Sequence, residues 1–107
     1  MSIRCTQQGR TLRAQVWGEL DHHRARETMQ TLELAVAQAR PTALLLDLSG
    51  LTFTDSSGIA VLLRARRQMT EIRGTLRVLH TPEQALRVFR AAGLERLIPF
   101  ETEGEDT

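Results

Sequence analysis

Residues Ala43–Met69 read ALLLDLSGLTFTDSSGIAVLLRARRQM. The first six, Ala43–Leu48, form a short and almost unbroken apolar run bracketed by Pro41 and Gly50. Aliphatic residues at consecutive positions over that length are the pattern of a strand buried on both faces, in a sheet covered by helices. The period then changes. A helix is expected from about Asp55 to about Arg73, stopped by Gly74. At ~100° per residue, Gly58, Val61, Leu62, Ala65, Met69 and Ile72 gather on one side, a stripe wide enough to face a sheet.

The flanking sequence extends this strand–helix unit both ways. Upstream, Ile3–Gln7 and Thr11–Trp17 read as strands joined by a turn at Gly9-Arg10, with Leu12, Ala14 and Val16 alternating with polar neighbours. Asp21 is a candidate N-cap for a helix from His22 to about Arg40. Its apolar stripe is Ala25, Met29, Leu32, Val36 and Ala39, and Pro41 prevents continuation. Downstream, Thr75–Leu79 is a further strand. Thr81-Pro82-Glu83-Gln84 reads as a helix start, with Thr81 at the N-cap, Pro82 at the first helical position and Gln84 completing a capping box. That helix ends at Gly93, and an edge strand is expected around Ile98–Phe100. The order implies one α/β domain over residues 1–100, with a mixed sheet of about four to five strands packed against helices.

Composition agrees. A chain of 107 residues, 41% hydrophobic and 25% charged, is a single globular domain rather than a disordered or membrane-spanning one. The uncharged apolar run Ala43–Leu46 is far short of a membrane span, as is every other such run in the chain, and the N-terminal MSIRCTQQGR has no apolar stretch of the signal-peptide kind. A single cysteine, Cys5, suits a reducing cytoplasm. The formal net charge of +1 conceals an asymmetry. Four of the thirteen acids lie in the last seven residues, ETEGEDT, which leaves the body through Phe100 at +5. That acidic stretch, residues 101–107, is expected to be a disordered tail. Arg64, Arg66 and Arg67 cluster on the second helix. With no aromatic stacking platform or reader motif beside them, they read as a solvated helix face and not as a direct nucleic-acid contact.

The solvent side of that helix is unusual. Ser56, Ile59, Ala60, Leu63 and Arg67 fall opposite the core stripe, flanked by Arg64 and Arg66, so the first two turns present an apolar outer face. One reading is that a neighbouring helix or the chain end covers Ile59 and Leu63. The other is a docking surface centred on Ser56. Ser56 also follows the candidate N-cap Asp55, where free backbone N–H groups favour an anion. Taken alone, Asp55, Ser56 and Ser57 are equally a helix cap.

Catalytic readings are poor. A nucleophile elbow, G-x-S-x-G, needs glycine two residues before the serine; Thr54 precedes Ser56 and Asp55 precedes Ser57 at that spacing. His80 is a lone histidine beside a helix cap. His22 and His23 start a helix, but the pattern around a phosphohistidine carrier is missing. As adjacent residues they diverge too far to share a metal without a third ligand. No catalytic group, metal or cofactor is expected.

Three segments taken together carry a resemblance: Gly18-Glu19-Leu20-Asp21-His22-His23, Leu45-Leu46-Asp47-Leu48-Ser49-Gly50 and Phe53-Thr54-Asp55-Ser56-Ser57-Gly58-Ile59. Over about residues 2–100 the chain resembles the STAS-domain anti-sigma factor antagonists. The GELDHH hexapeptide most resembles the subgroup that controls the forespore sigma factor in bacterial sporulation. The resemblance implies a STAS-type fold and a small cytoplasmic regulator in a partner-switching circuit. Such proteins bind an anti-sigma factor that is itself an ATP-dependent serine kinase, and so free the sigma factor. The kinase then phosphorylates the first serine of the motif, here Ser56, and a PP2C-type phosphatase reverses this. The implied partner surface is Glu19, Asp21, Asp55, Ser56, Ser57, Gly58, Ile59, Leu63 and Arg67, with no membrane involved. Ser57 lies about 100° around the helix and reads as positioning. The family domain usually ends in a further helix where this chain has ETEGEDT. The rival within the family is a STAS scaffold or a regulatory subunit of a stress-signalling or transporter complex; a serine at position 56 favours the switch.

Overall fold

A computed structural model describes residues 3–101. Strands β1 (Ile3–Gln8) and β2 (Thr11–Leu20) form an antiparallel hairpin, and helix α1 (His22–Ala39) follows. Then come β3 (Ala43–Thr54), α2 (Ser57–Glu71), β4 (Thr75–Leu79), α3 (Glu83–Ala91), a short 3-10 turn over Leu94–Arg96 and β5 (Phe100–Glu101). The five strands lie side by side in chain order, antiparallel between β1 and β2 and parallel thereafter. This is the mixed α/β sheet expected.

Strand register explains the core. Leu12, Ala14 and Val16 on β2, Leu44 and Leu46 on β3, and Leu76 and Val78 on β4 share one face. They join Leu32 and Val36 of α1, Val61, Leu62 and Met69 of α2, and Phe89 of α3 in one buried cluster. Phe89 stacks on Phe100 at 5.7 Å between ring centroids. The opposite face is different in kind. It carries Arg13, Leu45, Asp47 and Arg77, with ion pairs Arg13–Asp47 (2.7 Å) and Arg77–Glu101. The Ala43–Leu48 run is therefore not apolar on both faces. Leu44, Leu46 and Leu48 enter the core, Leu45 is half-buried, and Asp47 is buried beside its arginine.

Several element boundaries differ from expectation. β3 runs six residues past Leu48, because β2 pairs with it all the way to Leu20↔Thr54 through two register shifts. Helix α2 ends at Glu71, so Ile72 leaves the sheet-facing stripe and is 38% exposed. Arg73, not Gly74, takes the left-handed conformation (φ 60°). Gly74 has little room for a side chain: a Cβ there would meet the Thr42 carbonyl oxygen at 3.0 Å and the flexible end of Met69 at 2.5 Å. Ile98 is buried ahead of β5 rather than inside it. Glu101, assigned to the tail from sequence, is part of β5, and the Arg77 guanidinium that bonds it lowers its carboxyl pKa. The rest of the expected acidic tail, 102–107, lies outside the described residues. Burial raises the Cys5 thiol pKa, which keeps it in the less reactive form. No helix among the described residues is long and apolar enough to cross a membrane.

Candidate functional site

The β2–α1 and β3–α2 junctions sit together, because Leu20 and Thr54 are paired at the ends of adjacent parallel strands. Thr54 is fully buried, and its Oγ1 lies 3.2 Å from the Leu20 carbonyl oxygen and 3.0 Å from that of Asp55. The Asp55 N–H donates to Leu20 O at 3.4 Å. The two loops are thus anchored to each other before α2 begins.

The N-cap of α2 is Ser56 rather than Asp55, since the helix begins two residues later than the sequence pattern suggests, but the Asp55 side chain still bonds the start of the helix from one residue further out. Its Oδ1 accepts from the Ser57 N–H at 2.7 Å. That backbone bond is the main cause holding the Asp55 carboxyl below the ordinary carboxylate pKa, with help from the Ser57 hydroxyl and from His22 on α1. Ser56 itself has helical dihedrals (φ −62°, ψ −16°) and makes no side-chain capping bond. It is exposed, whereas Ser57 is half-buried. Of two adjacent serines, one is spent on Asp55 and the other presents a free hydroxyl to solvent at a helix N-terminus.

The remaining sequence-derived positions divide. Glu19 is exposed beside the site. Asp21 caps α1, accepting from the His23 and Arg24 N–H groups at 3.0 Å each, so its carboxylate is committed to the helix. Leu63 is 38% exposed and Arg67 is exposed, its guanidinium 3.7 Å from Glu71. Gly58 is buried and cannot meet a partner through its surface. A Cβ there would lie 2.1 Å from Thr54 Oγ1, so the glycine lets α2 approach the end of β3. Ile59 is half-buried against the core, which removes it in part from the outer face. That face is therefore built around Ser56, Ala60 and Leu63. Arg64 reaches across to Glu33 of α1 at 2.7 Å, and Arg66 donates to the Leu97 carbonyl at 3.1 Å. A groove between α1 and α2, lined by His22, His23, Met29, Ser57 and Ala60, borders the site.

Two residues escaped the sequence reading. Trp17, 41% exposed, and Phe53, 40% exposed, flank Glu19 on the outer face of the sheet; their exposure depends on strand register, which no local pattern reveals. The sequence pattern places Gln84 in a capping box. The structure gives α3 no side-chain cap and turns Gln84 to the Thr54 backbone instead.

The family model described as "Mlab, STAS domain" matches residues 3–99. This chain belongs to the STAS-domain family. Among curated proteins it is similar to the anti-sigma F factor antagonist of Lysinibacillus sphaericus, 31% identical over 84 residues, which are 78% of this chain and 72% of that one. Among solved structures it is similar to the anti-sigma factor antagonist SpoIIAA in its unphosphorylated form (27% identity, TM-score 0.81, covering 97% of this chain and 91% of that one). It is likewise similar to the Bacillus cell fate determinant SpoIIAA in its phosphorylated form (27% identity, TM-score 0.73, covering 97% and 95%). The resemblance carried by the GELDHH and DSSG segments thus holds for a STAS domain over nearly its whole length, with anti-sigma factor antagonists as relatives.

Proposed function

We propose that this STAS protein is an anti-sigma factor antagonist whose state is set by phosphorylation of Ser56. The observation that carries the reading is the contrast between the two serines: Ser56 exposed with no capping bond, Ser57 half-buried and bonded to Asp55. A protein serine kinase needs a hydroxyl that reaches its active site, and of this pair only Ser56 meets that need. In the unphosphorylated state the partner, an anti-sigma factor with serine kinase activity, docks over Ser56, Ala60, Leu63 and Arg67, with Glu19 at the rim, and gives up its sigma factor. The kinase transfers the γ-phosphoryl group of ATP to Ser56 Oγ, whose proton passes to a kinase base, and ADP leaves.

The added group carries about −1.5 to −2 charges at neutral pH. It must be desolvated in a docked interface, and it stands next to the Asp55 carboxylate, which its depressed pKa keeps ionised. An interface weakened by ~3 kcal/mol loses about a hundredfold in affinity, enough for release. In the free protein the α2 N-terminus accommodates the phosphate. A PP2C-type phosphatase resets the switch. The circuit sits in the cytoplasm, and the GELDHH segment points to control of a sporulation sigma factor.

Intact-mass spectrometry after incubation with the kinase, co-purified from the native host, and ATP tests this. One added phosphate on the wild-type chain and none on Ser56→Ala is expected. Continued phosphorylation of Ser56→Ala sinks the site assignment. Binding without any phosphorylation favours the STAS scaffold reading instead.

A further inference from the structure

The last part of β3 lacks a strand neighbour on one side. Its ladder with β4 stops at Asp47↔Leu79, whereas β3 continues to Thr54. At Thr54 a side chain takes the place of a strand. Gln84 Oε1 accepts from the Thr54 N–H at 3.0 Å, and Gln84 Nε2 donates to the Thr54 carbonyl at 2.9 Å. One primary amide thereby satisfies the donor and the acceptor that a neighbouring parallel strand would otherwise serve. Thr54 is fully buried, so neither group has water as a ready substitute.

The arrangement draws on the start of α3. Gln84 stands where a capping box would use it, yet α3 has no side-chain cap and Thr81 Oγ1 is buried without a hydrogen-bond partner. A helix start left unsatisfied while its candidate capping side chain reaches another element marks the Gln84–Thr54 contact as the one the fold retains.

We propose that Gln84 is a positioning residue for the Ser56 phosphoacceptor. This rests on the reading of Ser56 given above. The connection is short. Gln84 fixes the Thr54 backbone; Thr54 leads into Asp55; the Asp55 carboxylate holds Ser57; and those restraints leave Ser56 facing outward. Without the amide, the end of β3 is held from the β2 side alone, and the Ser56 hydroxyl spends less time in the orientation that phosphoryl transfer requires.

Steady-state phosphorylation of Ser56 by the co-purified kinase, with thermal melts of each variant, tests the proposal. Gln84→Met keeps the length of the side chain and removes both hydrogen bonds. It is expected to lower kcat about tenfold with little change in KM. Gln84→Glu keeps an acceptor for the Thr54 N–H but sets a second carboxylate oxygen against the Thr54 carbonyl, and is expected to lower kcat at least as much as Gln84→Met. Val88→Ala, a half-buried position one turn along α3 from Gln84 and packed against the core through an aliphatic side chain that makes no hydrogen bond, serves as the stability control and should leave kcat unchanged. Hydrogen exchange should show lost protection at the Thr54 and Ser57 amides in Gln84→Met, with the core strands unaffected. Equal kcat losses in Gln84→Met and Val88→Ala, or an unchanged kcat in Gln84→Met, overturn the positioning role and leave the Ser56 assignment standing. A wild-type chain that is not phosphorylated at Ser56 overturns both.

Discussion

The Ser57 N–H lies 2.7 Å from Oδ1 of Asp55, and this bond separates the fates of two neighbouring serines. Because the Asp55 carboxyl is held below its ordinary pKa, mainly by that same N–H, the carboxylate is ionised and the bond is intact at neutral pH. Replacing Asp55 with alanine removes the restraint on Ser57. The expected outcome is a lower melting temperature and loss of site selectivity, with phosphate appearing on Ser57 as well as Ser56. Site-resolved mass spectrometry checks this; modification confined to Ser56 at the wild-type rate would show that Asp55 plays no part in the choice.

Ser56→Asp separates docking from folding. A negative charge in the first turn of a helix favours the N-terminal dipole by about 0.3–1 kcal/mol, offset in part by the neighbouring Asp55. The melting temperature should therefore hold or rise slightly. Binding to the anti-sigma kinase should weaken about tenfold or more, since the charge enters the centre of the docked face. Calorimetry measures both. An affinity equal to wild type would count against electrostatic release.

Leu63→Glu tests the apolar part of the same face. Leu63 is 38% exposed, so its truncation or replacement removes little core packing. Kinase binding should fall about tenfold, while the melting temperature moves by no more than a few degrees, as for a surface change. A large loss of stability would place Leu63 in the core and remove it from the docking surface.

Gly58→Ala is expected to act through packing. The new Cβ would stand 2.1 Å from Thr54 Oγ1 and 3.3 Å from Leu20 Cδ2, both in buried residues. Thr54 is held by its own hydrogen bonds and cannot yield cheaply. Overpacking of this kind costs about 1–3 kcal/mol, a fall of about 5 °C or more in a domain of this size. A melting temperature equal to wild type would mean that α2 moves away from β3 without penalty.

The strand–helix order was legible because period and punctuation change together along the chain. Alternation in β2, the apolar run of β3 and the core stripe of α2 each belong to one element and need no tertiary information. The Asp21 cap was legible for the same reason. What escaped depends on partners distant in sequence. Ser49-Gly50 looks like a strand end, yet pairing with β2 carries β3 on to Thr54. Gln84 fits a local capping pattern, yet Thr54, thirty residues away, takes its amide. Gly58 entered the partner surface through a motif, and a motif does not distinguish residues that touch a partner from those that shape the surface. Leu45 is less covered than the pattern implies, and Asp47 is covered by an arginine and not by an apolar layer, because an apolar run reports hydrophobicity without saying what packs on each face.

The half-buried Arg13–Asp47 ion pair on the outer face of the sheet contributes to the acid stability of the fold. Burial alone would raise the Asp47 pKa, but the Ser49 N–H at 3.0 Å and Arg13 at 2.7 Å outweigh it, and the net direction is down. A carboxyl whose folded pKa is depressed binds its proton more readily in the unfolded chain. Its stabilisation is therefore fully present above the unfolded value, about 3.9, and is lost as pH falls through the lower folded value. Asp47→Asn removes this dependence and leaves the Arg13 charge without its carboxylate, at a cost of about 1–3 kcal/mol near neutral pH. Melting curves between pH 7 and pH 3 should show the wild type losing more stability than Asp47→Asn, so that the two converge in acid. Parallel curves over that range would show that the Arg13–Asp47 pair contributes no pH-dependent stability.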